Sequence, residues 1–303
     1  MILVVFYHCL CGYSHIWGEN YSWQTVPFWS AISHILVYIH MPIFILMSAY
    51  LYSYLDSLQK YEQAKDFVLK KIKRLLIPYI IWGIITCFIQ KIDFEYLLFG
   101  VSHLWYLMFL FEAFITFHFI NRIPHKSKFI LLISLYLASL VINKLYPTPF
   151  LGLGYFVRYM PYFVIGYYLY YIVDKVNIKG KYLSMFAFAS FFILILEYII
   201  YNNKFILAGV GLVAVISIVM LCKQNENLLA FQKNFLKLEP YLMGVYLIHH
   251  ILIQEMNGSI IGQLYMNHYI IYPLLLFIIS FGISLAITYI LKKFKYGKII
   301  LGA

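Results

Sequence analysis

The chain of 303 residues is 63% hydrophobic and only 12% charged, with a mean hydropathy of +0.81, whereas a soluble domain carries about 25% charge. It lacks the residues to build a polar shell, which excludes a soluble globular protein and leaves a polytopic membrane protein. Its net charge of +11 has no soluble basic domain to present it, so nucleic acid is excluded as a partner and the charge is read as topology.

Apolar runs of roughly 17 to 25 residues predict ten helical spans, at about 1–17, 28–54, 75–91, 103–120, 129–146, 155–173, 182–201, 205–222, 240–256 and 270–291. The connections are short and contain no linker, low-complexity tract or repeat, so residues 1–303 are read as one all-α integral-membrane domain. Aromatic content of 20% suits many water–lipid boundaries, where amphipathic rings settle. Segments 55–74, 121–128, 174–181, 223–239 and 292–303 hold 19 of the 23 Lys and Arg residues; Lys91, Lys144, Arg158 and Lys204 are the others. Every second connection is therefore basic, and the positive-inside rule places both termini in the cytoplasm.

The first span carries His8 inside VVFYHC, together with Cys9 and Cys11. It has neither the basic lead-in nor the small-residue cleavage site of a signal peptide. The two cysteines, like Cys87 and Cys222, show no metal spacing and read as buried filler rather than a redox pair. The second span adds His34 and His40. After it, KKIKRLLIP places Lys70, Lys71, Lys73 and Arg74 where the chain meets the membrane again. That cluster reads either as topology and headgroup attraction or as a phosphate-binding edge facing the cytoplasm. The fourth span brings His103, Glu112 and His118, the sixth Arg158, the seventh Glu197 and the ninth His249 and His250. His15 and His268 fall near outer boundaries, and His125 in a basic loop.

Each intramembrane histidine alone reads as interhelical glue. Together with Glu112, Arg158 and Glu197 they point to a polar cavity in the bundle, because buried charges in lipid pair and line pathways. Arg158 with Glu112 or with Glu197 is the expected pairing. Metal is not expected: His249 and His250 point about 100° apart on a helix, and no HExxH, nucleophile elbow or phosphate-binding glycine loop is present. Asn257-Gly258-Ser259 matches a glycosylation acceptor pattern and is assigned no function.

Five stretches occur in register: HMPIFILMSAYLYS (40–53), KKIKRLLIPYIIWGII (70–85), HLWYLMFL (103–110), RYMPYFVIGYYL (158–169) and GVYLIHH (244–250). The pattern resembles the acyltransferase-3 family of bacterial membrane acyltransferases, from residue 4 to about 290. The resemblance implies about ten spans in the bacterial plasma membrane. It also implies an O-acetyltransferase that moves an acetyl group from cytoplasmic acetyl-CoA to a hydroxyl of a cell-surface or exported glycan or lipid-linked saccharide. By that resemblance His8 is the catalytic histidine. The family's Arg, about ten residues before it, would fall ahead of Met1, which suggests a late start. Ala49 stands where the family usually has glycine.

The chemistry suits the residues. An imidazole of unperturbed pKa about 6.5 can serve as base or acyl relay. His40, Trp105 or Arg158 can supply donors to the oxyanion, and Lys71, Lys73 and Arg74 can clamp the nucleotide end of coenzyme A, with Trp105 as a further contact on the cofactor. The rival reading is an exporter or flippase for a polysaccharide or lipid-linked sugar, which intramembrane charges also suit. A scaffolding subunit accounts for neither the histidines nor Arg158.

Overall fold

The computed structural model describes residues 1–14, 25–123, 152–173, 175–176, 178–200, 203–224, 237–265 and 267–302, with scattered positions between 130 and 144. Most of the predicted fifth span, together with His15, His125, Lys126, Lys128 and Lys233, lies outside the described residues. Among the described residues there is no strand. Helices are the expected solution, because a chain crossing hydrocarbon must satisfy its backbone internally. Six helical stretches are long and apolar enough to cross a membrane: Pro27–Ser57, Ala64–Gln90, Phe94–Ile120, Gly180–Ile200, Ile206–Gln224 and Ile271–Lys292. Each coincides with a predicted span. Two more helices of 20 residues, Leu153–Ile172 and Glu239–Gly258, match the sixth and ninth predicted spans. They are less apolar because they carry Arg158, the His249-His250 pair and many tyrosines.

The chain forms two compact units, Met1–Phe44 with Val173–Ile290, and Ile45–Ile172 with Leu291–Ala303. In the first unit, α1 (Ile2–Leu10) packs against α2 (Pro27–Val37) and α10 (Glu239–Gly258). The core joins Val5, Cys9 and Leu10 to Val245, Ile253, Tyr272 and Leu276. Cys9 and Cys11 are buried free thiols; Cys9 Sγ lies 4.0 Å from Ser280 Oγ on α12 (Ile271–Lys292), and the Cys11 thiol donates to the Tyr7 carbonyl. One end of the unit is closed by backbone contacts: Val26 N–H donates to Tyr13 O, and Trp29 Nε1–H to Tyr269 O.

A hairpin of α8 (Gly180–Ile200) and α9 (Lys204–Gln224) packs mainly on itself and shows Phe188, Ile199 and Met185 outward. Glu197, one of the two carboxylates considered as a partner for Arg158, is buried and accepts the Asn203 backbone N–H at 3.1 Å. It caps the turn of the hairpin. Asn257 is only 1% exposed, and its side-chain oxygen accepts from Tyr272 OH at 3.0 Å, so the acceptor side chain of the glycosylation pattern is buried.

In the second unit, α3 (His40–Ser57, from Ile45 onward) lies parallel to α7 (Leu153–Ile172). They touch closely: a Cβ at Gly166 would lie 2.8 Å from Leu46 Cα, and Ser53 Oγ donates to Tyr167 O at 2.8 Å. The helix of the basic cluster starts as α4 (Ala64–Lys71), passes through a π-helical turn at Ile72–Leu76 and continues as α5 (Ile77–Gln90). It ends at Lys91, which adopts a left-handed conformation (φ 53°) and donates its N–H to Cys87 O. α6 (Trp105–Ile120) runs alongside the α4–π segment.

The basic connections of this unit gather at one end. Arg122 donates to the Tyr61 and Glu62 carbonyls. Trp82 Nε1–H donates to Ile300 O at 3.0 Å, and Gly302 packs over the Arg74 carbonyl and Pro78. Segments 55–74, 121–123 and 295–302 thus meet at one end of this unit. Asn121 ties this end together. Its Nδ2 donates to Asp56 at 2.6 Å and its Oδ1 accepts from Tyr167 OH at 2.7 Å. Asn121→Ala deletes both bonds, one of them to a carboxylate, and is expected to cost about 2–3 kcal/mol, read as a lowered midpoint of thermal unfolding in detergent.

Candidate functional site

Four histidines converge in the first unit. The His8 ring on α1 lies 4.8 Å from the His250 ring, edge-on at 88°, and 5.2 Å from the His249 ring. Tyr7 meets His8 edge-on at 5.1 Å and stacks on His40 at 4.5 Å and 29°. His40, His249 and His250 are buried, at 2%, 0% and 3% exposure, while His8 is half-buried. Within this group His8 is the ring that keeps an accessible edge. It sits five residues before Tyr13, roughly 8 Å along the axis from the closed end of the unit.

Hydrogen bonds fix two of the surrounding rings. His40 Nδ1 lies 2.6 Å from Leu36 O and His249 Nδ1 2.9 Å from Val245 O. A carbonyl accepts only, so each Nδ1 carries the proton, and in the neutral ring Nε2 is an acceptor. Neutral His40 in that tautomer presents an accepting Nε2, whereas Trp105 and Arg158, the other two candidates for the oxyanion, carry donors. The visible contribution of His40 is the face on which Tyr7 stacks. His249 and His250, read from sequence as interhelical glue and not as metal ligands, form the walls behind His8. The motif GVYLIHH marked their helix but not their neighbour on α1. Among the described residues no three His, Cys, Asp or Glu side chains are placed to hold a metal ion.

The remaining site residues lie in the second unit. Lys73 and Arg74 are exposed on the π turn, whereas Lys71 is half-buried with its ammonium 3.3 Å above the Phe114 ring. Trp105 stacks with Tyr155 at 4.4 Å and with Tyr159 at 4.8 Å. It stands nine residues from Phe114 on α6, roughly 13 Å along the helix, so the cationic cluster and Trp105 occupy different levels of the unit. Arg158 is exposed, its guanidinium 5.3 Å from the Tyr159 ring centre. Glu112 is half-buried beside Gly152, whose φ of +68° and absent side chain leave room for the carboxylate. Arg158 and Trp105 are thus linked through Tyr159.

A family model described as an acyltransferase domain matches residues 1–293. The chain belongs to the acyltransferase-3 family. No curated protein and no solved structure matches it. As an acyltransferase-3 protein with several membrane-spanning helices, it is a multi-pass membrane acyltransferase. The histidine group around His8 and the cations on the π turn both lie inside the matched region.

Proposed function

We propose that this acyltransferase moves an acetyl group from cytoplasmic acetyl-CoA to a hydroxyl of a cell-surface or exported glycan, in the bacterial plasma membrane, with His8 as the general base. The observation that carries the reading is the half-buried His8 ring held against the buried His249 and His250 rings and Tyr7. Such a ring is fixed by its neighbours yet can still meet a substrate, the combination that general-base catalysis requires.

In the proposed reaction the His8 imidazole takes the proton of the acceptor hydroxyl, and the oxygen attacks the thioester carbonyl. The new C–O bond gives a tetrahedral oxyanion. Its collapse breaks the C–S bond, and the departing thiolate recovers the proton from the His8 imidazolium. The oxyanion requires fixed donors, which the Arg158 guanidinium offers in kind. Lys73 and Arg74 are the exposed cations suited to the phosphates of coenzyme A, and Trp105, further along α6, suits the extended pantetheine arm.

The test is acetyl transfer in membrane vesicles, with label in the acetyl group of acetyl-CoA and the host's own envelope glycan as acceptor. Label is expected in ester linkage to the glycan, released by mild base. Label that never leaves acetyl-CoA, in vesicles whose glycan reaches the surface only when this chain is present, would overturn the proposal in favour of export.

A further inference from the structure

Of the four cations in KKIKR, one is set apart: Lys71 is half-buried against aromatic rings, while the other three are exposed. The Lys71 ammonium lies 3.3 Å over the Phe114 ring, 5.3 Å from the Phe67 ring and 5.7 Å from the Tyr61 ring. These walls are themselves held by rings: Phe67 stacks on His118 at 4.2 Å and 14°, and Tyr61 on Tyr52 at 5.4 Å and 12°. An ammonium drawn out of water needs compensation, and aromatic faces supply about 2 kcal/mol or more when the contact is desolvated. Lys71 is boxed, while Lys70, Lys73 and Arg74 are exposed.

The box sits immediately before the π turn. Ile77 N–H donates to Ile72 O, five residues back. Pro78 has no N–H for the Arg74 carbonyl, and Gly302 packs over that carbonyl instead. The segment is thus pinned at Lys71 on one side and at Arg74–Pro78 on the other. In an ordinary α-helix residue 74 would lie about 60° from residue 71, on the side that faces α6. The wider π turn carries it further round, away from the charge in the box and out to solvent.

We propose that Lys71 is a positioning residue: boxed over Phe114, it fixes the π turn that presents Lys73 and Arg74 as a receptor for the 3′-phosphorylated nucleotide end of the donor. The ligand class is a nucleotide carrying a diphosphate and a separate phosphomonoester. This rests on the reading of acetyl-CoA as donor.

The experiment compares acetyl-CoA with 3′-dephospho-acetyl-CoA on the detergent-purified full chain, measuring kcat and KM for each and the binding of labelled coenzyme A. Phe114→Leu removes the ring beneath the ammonium and no charge. It is expected to raise KM for acetyl-CoA about ten-fold, the loss of roughly 1.4 kcal/mol of fixed cation–ring contact, with kcat little changed and the preference for the 3′-phosphate reduced. Were Lys71 itself a phosphate ligand, Phe114→Leu would release it and KM would hold or fall, which overturns the proposal. Lys71→Met is expected to match Phe114→Leu, and Lys71→Arg, whose guanidinium also stacks on rings, to restore most of the lost affinity. If Phe114→Leu does not fold, wild-type coenzyme A binding by Lys71→Met overturns the proposal equally. The double variant Lys73→Gln/Arg74→Gln separates the two claims. If it keeps the wild-type KM and 3′-phosphate preference, the reading of this cluster as the donor site is what fails.

Discussion

Replacing His8 with alanine is expected to lower acyl transfer by about 10²–10⁴-fold, the usual contribution of a positioned general base, while the protein still folds. The loss falls on kcat, because the ring acts on the proton and not on the binding of either substrate. The substitution opens a space walled by Tyr7, His249 and His250, but His8 is only half-buried. The destabilisation is therefore expected to stay below the about 2–5 kcal/mol typical of truncating a fully buried large side chain. His8→Gln keeps much of the bulk and hydrogen-bonding capacity without a titratable nitrogen, and should be as inactive. Folded His8→Ala protein that retains a tenth or more of the wild-type rate would sink the assignment. Its neighbours predict a graded response: His40 holds Tyr7 from below, so losing it disturbs geometry and not the proton acceptor.

The second large effect is structural. Gly166→Val is expected to abolish the folded state of the second unit, read as loss of the monodisperse peak and of the unfolding transition in detergent. A Cβ at Gly166 would collide with the Leu46 carbonyl oxygen and stand 2.8 Å from Leu46 Cα and 2.9 Å from its carbonyl carbon. Backbone atoms cannot rotate aside, so α3 and α7 would have to separate. That breaks the Ser53–Tyr167 bond and uncovers Ala49, which is 0% exposed. Overpacking a well-filled core costs about 1–3 kcal/mol when side chains can yield; here none can, and the cost is expected to exceed that range. The converse change, Ala49→Gly, removes one buried methyl. It should cost only about 1 kcal/mol, from the helix propensity of glycine.

Hydropathy made six of the spans legible, because a run such as Gly180–Ile200 has one physical explanation. It could not show that Glu197, near the end of that helix, accepts the Asn203 N–H. Its position near the end of an apolar run looks the same whether the carboxylate faces a distant cation or the Asn203 N–H six residues away. The meeting of His8 with His249 and His250 was hidden for a different reason: it joins residues some 240 apart, and no local period encodes that. Five weak motifs in register carried the family, because register is a property of the whole chain. The cationic cluster was visible as charge, yet charge alone made Lys71, Lys73 and Arg74 equivalent. The π turn and the ring beneath Lys71 set them apart, and neither has a residue signature.

Both compact units are discontinuous in sequence, and this gives the protein a history as well as a shape. Cys9 and Leu10 leave the ribosome long before the α12 partner of Cys9, Ser280, which follows 271 residues later. At about 5–20 residues per second, the first helix waits for roughly fifteen to fifty seconds before its core is complete. During that interval this apolar helix, with His8 still lacking the His249 and His250 rings, must be sheltered by lipid or by the insertion machinery. Slow synthesis prolongs the exposure of that helix, so yield should depend on translation speed and membrane chaperones more than on the stability of the finished protein.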